Sequence, residues 1–120
     1  MVSEFKLNSE VKNDCVVINT SGYVNNLGGQ KIVDEFNSHH QTGLNKYIFN
    51  LAESKVVNSI GISFLIEVIE KLNDSNGKLV FTNLDPSVDK TFTIMGLFHY
   101  AEKAENVEDG IQLLTNNKAG

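Results

Sequence analysis

The sequence predicts an α/β domain: one mixed, mostly parallel sheet of four to five strands covered by about four helices. Three observations predict it. Short β-rich apolar runs alternate with segments of helical period, the succession that right-handed crossover units on one sheet produce. The first two runs are separated by a short turn cluster, the mark of an opening antiparallel pair. A chain of 120 residues, 41% hydrophobic and 21% charged, is sized for a single domain, residues 1–120, that buries roughly two thirds of its unfolded surface.

The elements follow in order. Phe5, Leu7, Ser9 and Val11 alternate with Lys6, Asn8 and Glu10, the period of a half-exposed strand. Lys12-Asn13-Asp14 turns the chain into the continuous apolar run Cys15 to Ile18, completing a hairpin. Gly22 to Asn26 is a loop. A helix is predicted from about Leu27 to Gln41, with Ile32, Val33, Phe36 and His40 on one side and Gly43 as its C-terminal cap. The Gly28-Gly29 pair works against it, at about 1 kcal/mol per glycine relative to alanine. Tyr47 to Leu51 is suited to a buried strand.

The segment Ile60 to Asn73 has the clearest period. Ile62, Leu65, Ile66, Ile69 and Leu72 recur at helical spacing, while Ser63, Glu67, Glu70, Lys71 and Asp74 fill the other side. Asn76-Gly77 breaks the chain before a strand at Lys78 to Phe81. Asp85-Pro86 then reads as an N-cap with proline at the first helical position. Val88, Phe92 and Met95 form a stripe that ends at Gly96. A short strand near Tyr100 precedes a closing helix, in which Asn106 and Asp109 make a capping arrangement and Val107, Ile111 and Leu114 face inward.

Composition excludes several classes of function. Ten lysines oppose fifteen acidic residues, for a formal charge of −5, and no arginine is present. The guanidinium fork that grips phosphates and guanine edges is therefore missing, and nucleic acid is not an expected partner. Cys15 is the only cysteine, which rules out an intrachain disulfide and a cysteine metal cluster. The opening MVSEFKLNSEVKND has no signal-peptide core and no later run is long enough to span a bilayer. A reduced, cytoplasmic protein without direct membrane insertion is the expectation.

Between the Tyr47 strand and the Ile60 helix lies the stretch Val57-Asn58-Ser59-Ile60-Gly61-Ile62-Ser63-Phe64-Leu65-Ile66. It resembles the signature of the STAS domain, the module of sulphate transporters and anti-sigma factor antagonists. The resemblance extends along the chain. Gly22-Tyr23-Val24-Asn25 is similar to the family's Gly-x-Leu-Asp, Tyr47 to Leu51 to its preceding strand, and Met95-Gly96-Leu97-Phe98 with Glu108-Asp109-Gly110-Ile111 to its closing turn and helix.

The resemblance implies a STAS-like single domain acting as an anti-sigma factor antagonist with no cofactor and no chemistry of its own. Ser59 would be the phosphorylated residue. Asn25, Asn58, Ile60, Gly61, Ser63 and Phe64 would form the partner-binding surface. The implied partners are an anti-sigma factor that is itself a serine kinase, and a phosphatase, in a circuit regulating transcription. Asn25 and Asn58 stand where the family has aspartate, Ile60 where it has serine or threonine, and Ser63 where glycine is frequent. An alternative is a STAS subunit of a larger signalling or transporter assembly that is never phosphorylated.

Physics supplies its own reasons for a serine here. A residue at a helix start faces unpaired N–H groups and the positive end of the dipole, which suits a phosphate. Asn58 and Ser59 are also both favoured caps, and capping alone accounts for either. A hydrolase reading of Ser59, with Asp85 or Asp89 and His99, lacks the first glycine of a nucleophile elbow, since Val57 occupies that place. His39 and His40 are adjacent and point apart on a helix, with His40 expected at the core edge and His39 in solvent. Gly28-Gly29 lacks the rest of a nucleotide-binding fingerprint, and Lys55, Lys71 and Lys78 form no run.

Overall fold

The computed structural model describes residues 4–115. Strand β1 (Lys6–Lys12) pairs antiparallel with β2 (Cys15–Ser21), and Asn13 and Asp14 both adopt positive φ between them. That is the two-residue turn whose twist matches a hairpin, and asparagine and aspartate tolerate it best among residues with a Cβ. Strands β3 (Lys46–Glu53), β4 (Lys78–Thr82) and β5 (Glu102–Ala104) follow, each parallel to its predecessor, so the sheet order is β1-β2-β3-β4-β5.

Three helices make the crossovers: α1 (Asn26–His40), α2 (Ser59–Asp74) and α3 (Pro86–Ile94). All three pack on one face. Their residues Ile32, Phe36, Leu65, Leu72 and Phe92 share a core with Val16, Ile18, Tyr47, Phe49 and Phe81 of the strands. Alternate strand residues point the opposite way. There Cys15, Val17, Ile48 and Val80 meet Leu114 and Ile111 of α4 (Val107–Thr115). Beyond α4 this second face turns polar. Asn19 donates to Asn8 at 3.0 Å and Asn50 donates to Asn19 at 2.8 Å, one rung per strand.

The Gly28-Gly29 pair has a packing reason. A Cβ on Gly29 would sit 2.4 Å from the Phe64 ring, and one on Gly28 would sit 2.8 Å from the Tyr23 carbonyl oxygen. The helix gives up local propensity at Gly29 so that α2 can approach through Phe64, and at Gly28 so that its first turn fits against the Tyr23 carbonyl and the Phe5 ring.

Three expectations need correction. Met95 is 51% exposed, because α3 ends at Ile94 and Gly96, at φ +80°, turns the chain away into a 3₁₀ turn at Leu97–His99. The last strand lies at Glu102–Ala104, and Tyr100 stands in solvent before it. His39 is half-buried, with Nε2 2.9 Å from Ser9 Oγ and 3.3 Å from Glu35 Oε2, and so fastens α1 to β1. His40 stacks on Phe36 at the core edge, as its place on the helix predicts.

The two ends of the predicted α3 stripe are therefore expected to behave differently. Phe92→Ala should lower unfolding stability by about 3–5 kcal/mol, the range for emptying a buried aromatic site. Met95→Ala should stay within about 0.5 kcal/mol. Urea unfolding of both variants checks this.

Candidate functional site

The loops after β2 and β3 lie at the same edge of the sheet, because parallel neighbouring strands end on the same side. Backbone hydrogen bonds lace them together. Gly22 N donates to Glu53 O at 3.0 Å, Val24 N to Val56 O at 3.0 Å, and Asn58 N to Val24 O at 3.1 Å. Val24 and Val57 form a parallel bridge. Beneath them Thr20 and Ser54, both buried, share a hydroxyl–hydroxyl hydrogen bond of 2.7 Å. Gly22, at φ +110°, admits the turn out of β2.

Each loop delivers a helix N-terminus to this edge. Asn25 caps α1, its Oδ1 accepting from Leu27 N and Gly28 N at 3.1 Å each. Asn58 caps α2, its Oδ1 accepting from Gly61 N at 2.8 Å. Asn25 and Asn58 thus fill the capping role open to aspartate, without its charge. Ser59 is the first helical residue, exposed, and its hydroxyl makes no hydrogen bond among the described residues. Capping falls to Asn58, so the serine hydroxyl is left free.

The remaining predicted site residues divide. Ile60 is exposed beside Ser59. Ser63 is exposed one turn on, its hydroxyl donating to Ile60 O at 2.6 Å. Gly61 is buried, and a Cβ there would lie 2.1 Å from Val24 O. It therefore shapes the surface from below and presents nothing to a partner. Phe64 is half-buried against Gly29, where it serves the α1–α2 contact.

Other surface residues at this edge escape a sequence reading. Tyr23, Leu27, Val56 and Ile60 are large apolar side chains between 43% and 67% exposed. All four stand on the two laced loops or the first turns they launch, so they bring exposed apolar surface to the same edge as Ser59. Val56-Val57 carries the one available signal, since only one of two adjacent valines in an extended loop can face inward.

Charge at this edge is sparse. Neither α1 nor α2 has an acidic residue in its first turn. Glu53 at the end of β3 and Lys55 in the loop that follows it are both exposed, and Asp85 caps α3. Hydrogen bonds from the Ser87 hydroxyl and backbone hold its carboxyl below the usual range, and Lys55 adds to the effect. The triad considered for Ser59 is not assembled. His99 follows α3 at the opposite end of the sheet, and Asp89 pairs with Lys103 at 2.9 Å. Among the described residues, no group of three or more His, Cys, Asp or Glu is placed to hold a metal ion, and no helix is long and apolar enough to cross a membrane.

Two stability tests follow from these caps. Asn58→Ala should cost about 0.5–2 kcal/mol, the usual loss for an N-cap, and Ser59→Ala under about 0.5 kcal/mol; thermal unfolding of both checks this. A depressed carboxyl contributes stability that is present above its unfolded pKa and lost as pH falls through the folded one. The stability gap between wild type and Asp85→Asn should accordingly shrink between pH 7 and pH 3 in urea titrations.

Comparison with known proteins agrees with this fold. The model of the STAS domain family matches residues 6–110. No curated protein matches by sequence. Among solved structures, an anti-sigma factor antagonist from Mycobacterium paratuberculosis superposes with a TM-score of 0.83 at 14% identity, over 95% of this chain and 98% of that one. The anti-sigma factor antagonist SpoIIAA in its unphosphorylated form gives 0.77 at 21% identity, over 97% and 100%. The phosphorylated form of the Bacillus cell fate determinant SpoIIAA gives 0.70 at 22%, over 92% and 98%. With a family match over most of its length and this fold, the chain belongs to the STAS domain family.

Proposed function

We propose that this STAS domain is an anti-sigma factor antagonist switched by phosphorylation of Ser59. Unmodified, the face formed by Asn25, Asn58, Ser59, Ile60 and the apolar side chains around them holds an anti-sigma factor that is itself a serine kinase. Phosphorylation releases it, and a phosphatase restores binding. Transcription is regulated through that capture. The observation that carries the reading is a free, exposed serine hydroxyl at the first position of α2, set within exposed apolar surface. Likeness to SpoIIAA, known in both phosphorylated and unphosphorylated forms, supports it.

The physics of the switch is local. A phosphate adds roughly 1.5 to 2 negative charges at neutral pH. The Ser59 and Ile60 N–H groups of the first turn have no partner among the described residues, so the helix start accommodates a phosphate without unfolding. The same charge placed within a desolvated apolar contact opposes binding strongly. Asn58 repels that phosphate less than aspartate does.

A second reading has one observation in its favour. With Asn25 and Asn58 neutral, the site lacks the carboxylates of its family pattern, which suits an unswitched STAS subunit of a larger signalling or transport assembly.

Ser59→Asp should weaken binding of the cognate anti-sigma factor at least tenfold, about 1.4 kcal/mol or more, while Ser59→Ala binds within a few-fold of wild type. Calorimetric titration measures both. Phosphopeptide mass spectrometry on protein from its own cells, in growth and in stress, should show phosphate on Ser59 that changes between conditions. An unmodified peptide throughout, with Ser59→Asp binding like wild type, transfers the chain to the unswitched reading.

A further inference from the structure

A second surface lies farther along α2. Between this helix and the turn that follows α3 is a cavity of about 320 Å³, floored by Ile66, Ile69 and Leu97 and edged by Met95, Tyr100 and Glu70. Met95 and Tyr100 are exposed on its rim, and Ile94, 72% exposed, precedes Met95 in the chain. Apolar side chains of this size gathered in one solvent-facing place mark an interaction surface more than isolated ones do. Gly96 creates the concavity, because its left-handed backbone breaks the α3 stripe and turns Leu97 inward while Met95 stays out.

From this groove we infer a docking site for a basic amphipathic helix of a partner protein. Charge selects that occupant. Glu70 lines the groove and Asp74 follows one turn along the same helix, and neither enters an ion pair among the described residues, whereas Glu67 is paired with Lys71 at 3.5 Å. No lysine lines the cavity. Apolar anchors one helical turn apart, flanked by lysine or arginine, would fill the floor and meet the acidic side. A second copy of this chain, at −5, brings charge of the same sign. A small ligand would find no buried polar side chain to orient it, since Glu70 is exposed.

Ser59, Ser63, Ile66 and Glu70 fall at i, i+4, i+7 and i+11, one stripe of α2. The groove thus opens about 10 Å along the axis from Ser59. None of the groove's lining residues is Ser59, so this inference does not depend on the switch.

The test uses the full ¹⁵N-labelled chain and a synthetic 14-residue (about four turns) leucine–lysine amphipathic helical peptide, with a leucine–glutamate peptide of the same pattern as counterpart. The lysine peptide should shift the amides of Ile66, Glu70, Leu97 and Tyr100 saturably, and the glutamate peptide should not. Glu70→Lys and Tyr100→Ala, both at exposed positions, should each raise the dissociation constant at least fivefold. Glu108→Lys, on α4 at the other face of the sheet, should change it less than twofold. Equal loss from Glu108→Lys and Glu70→Lys would reduce the effect to net charge and overturn the proposal. So would equal binding of the glutamate peptide, or no effect of Tyr100→Ala. A dimer in sedimentation equilibrium that Tyr100→Ala abolishes would assign the groove to a second copy instead.

Discussion

The candidate site rests on the contact between Gly61 and Val24. The Val24 carbonyl accepts the Asn58 N–H at 3.1 Å, and a Cβ on Gly61 would come within 2.1 Å of that same oxygen. Only glycine lets the first turn of α2 settle onto the loop after β2. That settling places Asn58 to cap, leaves Ser59 facing outward, and keeps Ile60 exposed at the edge that Tyr23 and Leu27 also occupy. A larger residue at 61 would push α2 off the loop and disperse the surface, although the sheet and most of the core would remain. The buried Thr20–Ser54 hydrogen bond supports the arrangement from below, where an unmatched hydroxyl would be costly.

Topology explains why so much gathers at one edge. With β2, β3 and β4 parallel and their crossovers on one face, the N-termini of α1, α2 and α3 all emerge where the strands end. Their dipoles make that edge electropositive. The chain answers with three short side-chain caps, Asn25, Asn58 and Asp85, of which only the last is charged. At α1 and α2 the caps are uncharged, so they satisfy the free N–H groups without neutralising the dipole.

Much of the architecture is legible in the sequence, for identifiable reasons. The α2 period is strong because the helix buries one full face, with Ile62, Leu65, Ile69 and Leu72 inside. The Asp85-Pro86 start of α3 and the Asn106 cap of α4 are written in residue types with few other uses. The Ser59 motif is legible through its family pattern. What sequence could not supply are the contacts between distant elements. Gly28-Gly29 reads as a weak helix start until Phe64 is found lying against it. His39 reads as solvated until Ser9 arrives from β1. Tyr23, Leu27 and Val56 look like ordinary apolar residues, because exposure depends on which loop covers which. Met95 fits a helical stripe that Gly96 ends one residue too soon.

The ties between the two site loops are made almost wholly by backbone groups: Gly22 to Glu53, Val24 to Val56, Asn58 to Val24. Backbone bonds do not depend on which side chains the loops carry. Tyr23, Val56 and Ile60 can therefore be exchanged for other residues with little effect on how the loops are held, while the glycines and caps beneath them cannot. The exposed apolar side chains at this edge and the glycines and caps that hold the loops are separate sets of residues. A lineage of such domains can diverge in partner choice, and paralogues in one cell can be kept from cross-talk, by drift at a few exposed positions over an unaltered fold.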